Sequence, residues 1–188
     1  MLRKRLQQHF DPILAITILL VLAALVALCL TMVTPAAEAK GGGISVGGAT
    51  AKGSKAKLLS NGKAIPPEGA PQRVVQAIEA ANEIRKKPYI WGGGHGKWKD
   101  KGYDCSGAVS YMLHGGHMLD SPLDSGSLAS SWGERGKGRW ITVYANGGHT
   151  YAVVAGLRWD TSMTGGNGPR WSTEMRSNRG FTKKHYEG

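Results

Sequence analysis

The sequence predicts an α+β fold in which N-terminal helices pack on a small antiparallel sheet, preceded by one hydrophobic N-terminal helix. Three observations predict it. Apolar residues recur at helical spacing at Val74, Val75, Ala77, Ile78, Ala81 and Ile84, and again at Ala108, Val109, Met112 and Leu113. Large and β-branched residues then alternate from Trp140 onward around an Asn146-Gly147-Gly148 turn signal. Before all of these comes an apolar run, residues 13–33, that contains no charge.

That run would extend roughly 31 Å as a helix, enough to cross the hydrocarbon core of a bilayer. Arg3-Lys4-Arg5 precedes it, and a basic flank of this kind stays on the cytoplasmic side, which places the rest of the chain outside. Ala37-x-Ala39 fits a signal-peptidase site, so residues 1–39 read as a signal peptide or as a membrane anchor, and the protein as secreted or tethered. Residues 40–68 are rich in Gly, Ser, Ala and Lys, with too few large apolar groups to form a core, and predict a flexible basic linker. Residues 69–188 are long enough for one domain.

Within that domain Pro71 suits the first turn of the first helix, and Arg85-Lys86-Lys87 suit the negative end of its dipole before Pro88 ends it. The second helix starts at Cys105 and stops at Gly115-Gly116. The glycines at 92–94 permit positive φ or close backbone approach. They are not a phosphate loop, because Gly92-x-x-x-Gly96-Lys97-Trp98 has the wrong spacing and lacks the magnesium-holding Ser/Thr. His95 reads equally as a cleft residue or as a solvated loop imidazole. His114 and His117 have no further ligands at metal spacing, so no metal is expected. Leu123, Leu128 and Trp132 predict a short helix or flap. Residues 140–145 and 149–155 read as neighbouring strands, and 156–160 as a third, so His149 opens a strand and Asp160 returns beside it. Residues 161–188, polar and Gly/Asn/Arg-rich, predict an irregular tail anchored by Trp171.

The chain carries 24 Lys and Arg against 13 Asp and Glu, a net charge of +11. Such a surface favours nucleic acid, anionic lipid or an acidic wall polymer. The export signal and the lack of any RNA- or DNA-binding motif exclude nucleic acid. The two cysteines do not form a disulfide framework, because Cys29 lies in the apolar run.

Cys105 is thus a lone thiol at a helix start, where the unpaired N–H groups and the dipole favour a thiolate. A cysteine peptidase also needs an imidazole to share the thiol's proton and a polar group to orient that imidazole. Cys105, His149 and Asp160 supply these types in that order. Spacing alone favours a buried structural cysteine, because many chains hold one Cys, several His and an Asp.

Pro88-Tyr89-Ile90-Trp91-Gly92-Gly93, then Tyr103-Asp104-Cys105-Ser106-Gly107-Ala108-Val109, then Gly148-His149, resemble the NlpC-type cysteine peptidases of bacterial cell walls. The resemblance spans roughly residues 74–171. It implies a papain-like α+β fold and cleavage of peptidoglycan stem peptides without a cofactor. By it Cys105 is the nucleophile and His149 the general base. Tyr89, Trp91, Asp104 and Ser106 match the substrate side of the cleft, with Asp104 and Ser106 beside the substrate's free amino end. Two features depart from the family. Its third polar residue is most often His, sometimes Asn or Gln, where this chain has Asp160. The Pro-Gly-Asp lead-in strand is replaced by Arg139-Trp140-Ile141-Thr142. The expected function is an exported peptidoglycan endopeptidase with peptidoglycan and anionic wall polymers as partners, and the cytoplasmic membrane through residues 13–33 if these are not removed. The alternative is a catalytically silent wall-binding module of the same fold.

Overall fold

The computed structural model describes residues 49–163 and 166–186. The apolar run 13–33, and with it the signal or anchor, lies outside the described residues. Among the described residues no helix is long and apolar enough to cross a membrane.

The described chain opens with a short antiparallel hairpin, β1 (Lys57–Leu58) and β2 (Ala64–Ile65). Helix α1 (Gln72–Ile84) follows, then α2 (Cys105–Gly115) and the short α3 (Ser125–Ser130). Six strands complete the fold: β3 (Glu134–Arg135), β4 (Ile141–Ala145), β5 (Thr150–Val154), β6 (Leu157–Met163), β7 (Gly166–Ser172) and β8 (Thr182–His185). They form one antiparallel sheet in the order β3-β8-β4-β5-β6-β7. After the hairpin, the helices precede the six-stranded antiparallel sheet and lie on it, the α+β arrangement that the sequence predicts.

Helix α1 buries Val74, Ala77, Ile78, Ala80, Ala81 and Ile84 along one stripe, as its periodicity dictates, and packs on α2. Helix α2 is buried almost all round, because α1 covers one side and strands β5 and β6 the other. Trp159 of β6 is fully buried, and its Nε1–H donates to the Ala108 carbonyl of α2 at 3.1 Å. One polar handle on the largest core side chain thus fixes the sheet against the helix.

Two expectations are corrected. Residues 51–68, assigned by composition to a linker, are ordered: Ala56 and Ala64 belong to the core, and the Ala56 N–H donates to the Ala155 carbonyl at 2.8 Å. Asn82 of α1 grips β2 from both sides, accepting from the Ala64 N–H and donating to its carbonyl, each at 2.9 Å. Satisfied backbone groups and two small buried side chains hold this hairpin, and neither is visible in hydropathy. Residues 161–188 are likewise more than a tail. They complete β6, form β7 beside it, and send β8 back between β3 and β4. Trp171 of β7 packs on Trp159 at 4.9 Å between ring centroids. The polar face of β8 hid it, since Lys184 is buried while its residue type reads as surface.

The glycine-rich loop and α2 meet backbone to backbone. A Cβ on Gly107 would lie 2.0 Å from the Gly93 carbonyl oxygen, which cannot retreat as a flexible side chain can. Gly107→Ala pits helix propensity, worth about 1 kcal/mol in favour of Ala, against an overpacking cost of roughly 3 kcal/mol. Packing wins on these magnitudes. Thermal unfolding should show a Tm lower by several degrees, whereas a raised Tm would mean that the contact is loose.

Candidate active site

Helix α2 starts at Cys105 because Asp104 caps it. The Asp104 Oδ1 accepts from the Gly107 N–H at 2.7 Å, satisfying one of the helix's free donors. The same oxygen accepts from the Ser106 hydroxyl at 3.0 Å and lies 3.1 Å from His95 Nε2. Its partner Oδ2 accepts from the Gly92 N–H at 3.1 Å, and the Asp104 N–H donates to the Gly93 carbonyl at 3.2 Å. One buried carboxylate thus locks the glycine loop to the helix start and leaves the half-exposed Cys105 thiol at the junction.

The loop between Gly94 and Tyr103 is tied down in turn. Asp100 Oδ2 accepts from the Gly94 N–H at 3.1 Å, and the buried Tyr103 hydroxyl donates to the Trp98 carbonyl at 2.6 Å. This resolves His95: the imidazole turns inward, with Nε2 also 3.1 Å from the Ser106 hydroxyl. The sequence held no signal that could choose between cleft and solvent for it.

The opposite wall comes from the sheet. Asn146 Oδ1 accepts from the N–H groups of Gly148 and His149, both at 2.9 Å, and so builds the turn that presents His149 at the start of β5. Two strands pair in register with Ala152 opposite Trp159, which brings Asp160 alongside. His149 Nε2 lies 3.0 Å from Asp160 Oδ1, and the Cys105 side chain stands within electrostatic reach of the same imidazole. Nε2 faces the carboxylate, so Nδ1 is the nitrogen left for the thiol. Cys105, His149 and Asp160 are therefore brought together.

Electrostatics follow from burial and partners. Burial alone would push the His149 imidazole down. The hydrogen bond to Asp160 and the neighbouring Asp160 and Cys105 charges outweigh it and raise His149 from the ordinary 6.5 to about 9. Asp160 shows the mirror balance: burial pulls it up, but His149, the Ser162 N–H and Arg176 hold it below the usual carboxylate range. Its side chain has no exposed surface.

The residues expected on the substrate side are spread over the glycine-loop wall. Tyr89 is half-buried, and its hydroxyl is raised by burial and then by the charges of Cys105 and Asp104, so it stands within their electrostatic reach. Ser106 is buried on Asp104, whereas Trp91 is 88% exposed. Arg176, on the segment after β7, was missed by the sequence reading; it reaches Asp160 Oδ2 at 3.1 Å. Nothing in a stretch of exposed polar residues marks one arginine among several. His114 stacks on Trp98 at 3.9 Å and its Nδ1 meets the Leu119 carbonyl. Among the described residues no group of three or more His, Cys, Asp or Glu is placed to hold a metal.

No protein-family model and no curated protein matches the sequence. Solved structures do match. The chain is similar to the peptidoglycan hydrolase RipB of Mycobacterium tuberculosis, with 25% identity over 66% of this chain and 70% of that one, at a TM-score of 0.48. It is similar to the P60 domain of an antigen of M. avium subspecies paratuberculosis, with 22% identity over 62% and 97%, at 0.47. A third match is M. tuberculosis RipD, described as a non-catalytic NlpC/p60 domain protein adapted to peptidoglycan binding, with 18% identity over 62% and 98%, at 0.48. At this degree of overlap the chemical reading rests on the side chains of this chain.

The raised His149 has a thermodynamic consequence. A group whose pKa is higher in the folded state adds stability that is fully present below its unfolded value and lost as pH rises through the folded one. The stability difference between the wild type and His149→Gln should therefore be largest near pH 6 and shrink toward pH 9.5, measured by urea unfolding. A difference that stays constant across that window would show that His149 keeps its ordinary pKa.

Proposed function

We propose that this chain is an exported cysteine peptidase that hydrolyses peptidoglycan stem peptides. The observation that carries the proposal is the line of side chains from the Cys105 thiol, within electrostatic reach of the His149 imidazole, to the buried Asp160 carboxylate 3.0 Å from His149 Nε2. The same line argues against a silent wall-binding module, which has no use for a raised imidazole between a thiol and a carboxylate.

The chemistry is acyl transfer. The Cys105 thiolate attacks the amide carbonyl, and the oxyanion that forms meets the Cys105 backbone N–H at the first turn of α2, a donor that the helix ladder leaves free. The His149 imidazolium gives its proton to the leaving amine, whose C–N bond breaks to leave a thioester. Neutral His149 then takes a proton from water, the hydroxide attacks the thioester, and carboxylate and thiol are released. Asp160 accepts from Nε2–H throughout, which fixes the tautomer and ring orientation. No step calls for a metal or an organic cofactor.

On the substrate side, Tyr89, Asp104 and Ser106 stand at the amino end of the acyl segment, and the exposed Trp91 indole offers a flat apolar face at the rim. Residues 1–39 carry the domain outside the cytoplasm. The excess of Lys and Arg holds it on the anionic wall through exposed, salt-sensitive contacts.

Purified peptidoglycan incubated with the chain should release new amino and carboxyl peptide ends, read by mass spectrometry of the soluble fragments, which also identifies the bond. Cys105→Ala should reduce release by at least a thousandfold. The alkaline limb of kcat/KM should have its midpoint near pH 9, where His149 loses the proton needed by the leaving amine. Undiminished release by Cys105→Ala would refute the proposal.

A further inference from the structure

Asp160 is an awkward orienter. A carboxylate beside an imidazole has two equivalent oxygens, so it can rotate, and its full charge favours the imidazolium form that must later surrender its proton. In this chain both difficulties are met by one residue outside the expected site. Arg176 donates through Nη1 to Asp160 Oδ2 at 3.1 Å and to the Ser162 hydroxyl at 2.9 Å. Its guanidinium is centred 5.3 Å from the Tyr151 ring and 5.4 Å from the Phe181 ring. Phe181 in turn sets its edge against both Tyr151 and His149.

We propose that Arg176 is a positioning residue for the catalytic pair: it holds Asp160 by Oδ2 and thereby reserves Oδ1 for His149 Nε2. The inference rests on the roles given to His149 and Asp160 in the proposed function. Several observations support it. Asp160 Oδ1 faces His149 and the Ser162 N–H, while Oδ2 faces cations: Arg176, and Arg158 at 3.7 Å. The two oxygens are therefore not interchangeable. The Arg158 Nε is buried without a hydrogen-bond partner, so of the two arginines only Arg176 forms a bond with direction. The Ser162 hydroxyl and two aromatic faces fix the guanidinium plane, which a flexible ammonium would not match.

The clamp also limits charge. Around His149 stand Cys105 and Asp160, and around Asp160 stand Arg158, Arg176 and the Tyr151 hydroxyl. The cation of Arg176 opposes the imidazolium and offsets part of the carboxylate's pull on it. Removing that cation should move the His149 titration upward. Keeping the charge but losing the planar guanidinium, held between the Tyr151 and Phe181 rings, should leave the titration in place and loosen the geometry.

The test follows His149 ring nitrogens by NMR across pH in full-length protein labelled with 15N-histidine, together with kcat and KM on peptidoglycan fragments. Arg176→Gln should raise the His149 midpoint above the wild-type value and lower kcat about tenfold with little change in KM. Arg176→Lys should keep the midpoint near wild type and recover only part of kcat. Ser162→Ala, which spares both charges and serves if Arg176→Gln does not fold, should lower kcat several-fold with the midpoint unchanged. A folded Arg176→Gln with wild-type midpoint and kcat would overturn the inference, as would wild-type kcat in both Arg176→Lys and Ser162→Ala. If the wild type cleaves nothing, the proposed function fails, yet the titration still reports whether the clamp acts on His149.

Discussion

A carboxylate with no exposed side-chain surface is costly unless its charge and lone pairs are met, and Asp160 is in that position. Its oxygens meet the His149 imidazole, the Ser162 N–H and the Arg176 guanidinium, with Arg158 near by. Each partner comes from a different constraint. His149 is set by the β4–β5 turn, Ser162 by the continuation of β6, and Arg176 by the segment that leaves β7. If any of these elements were displaced, the carboxylate would lose a partner at a cost of about 1–3 kcal/mol or more. The sheet is therefore built around a group that is stable only when the site is assembled.

A second carboxylate does the same for the other wall. Asp104 caps α2, takes the Ser106 hydroxyl, faces His95 and pins Gly92, so the nucleophile's helix and the glycine loop form one unit. Gly93 and Gly107 pack without room for a side chain between them. The thiol thus stands on a rigid helix start, and the imidazole on a rigid strand start, joined through the Trp159 bond to Ala108. Rigid elements rather than loops set the distance between the reacting groups.

Helix α1, helix α2 and strands β4 to β6 were legible in the sequence because each has a clean period and a clear stop: Pro71 and Pro88 around the first helix, Gly115-Gly116 after the second, Asn146-Gly147-Gly148 between strands. Cys105, His149 and Asp160 were legible as residue types in an order that chemistry can use, and Asn146 explains why His149 opens a strand. What was hidden is held by contacts without a local pattern. Ala56 and Ala64 bury too little surface to stand out, and the Asn82 grip on β2 is a side-chain bond spanning eighteen residues. Strand β8 reads Thr-Lys-Lys-His, a surface composition, yet it lies inside the sheet. Arg176 acts through Asp160 from sixteen residues away, and His95 takes its direction from Asp104, nine residues on.

The account's central claim is that Cys105 forms a covalent acyl intermediate which His149 helps to make and to clear. Acid-quenching the reaction on soluble peptidoglycan fragments and weighing the intact protein tests this directly. The account predicts a transient added mass equal to the acyl segment, mapped by digestion to Cys105, that builds up more slowly in His149→Ala. New peptide ends accumulating in the wild type with no adduct on Cys105, and at an equal rate in Cys105→Ala, would contradict it.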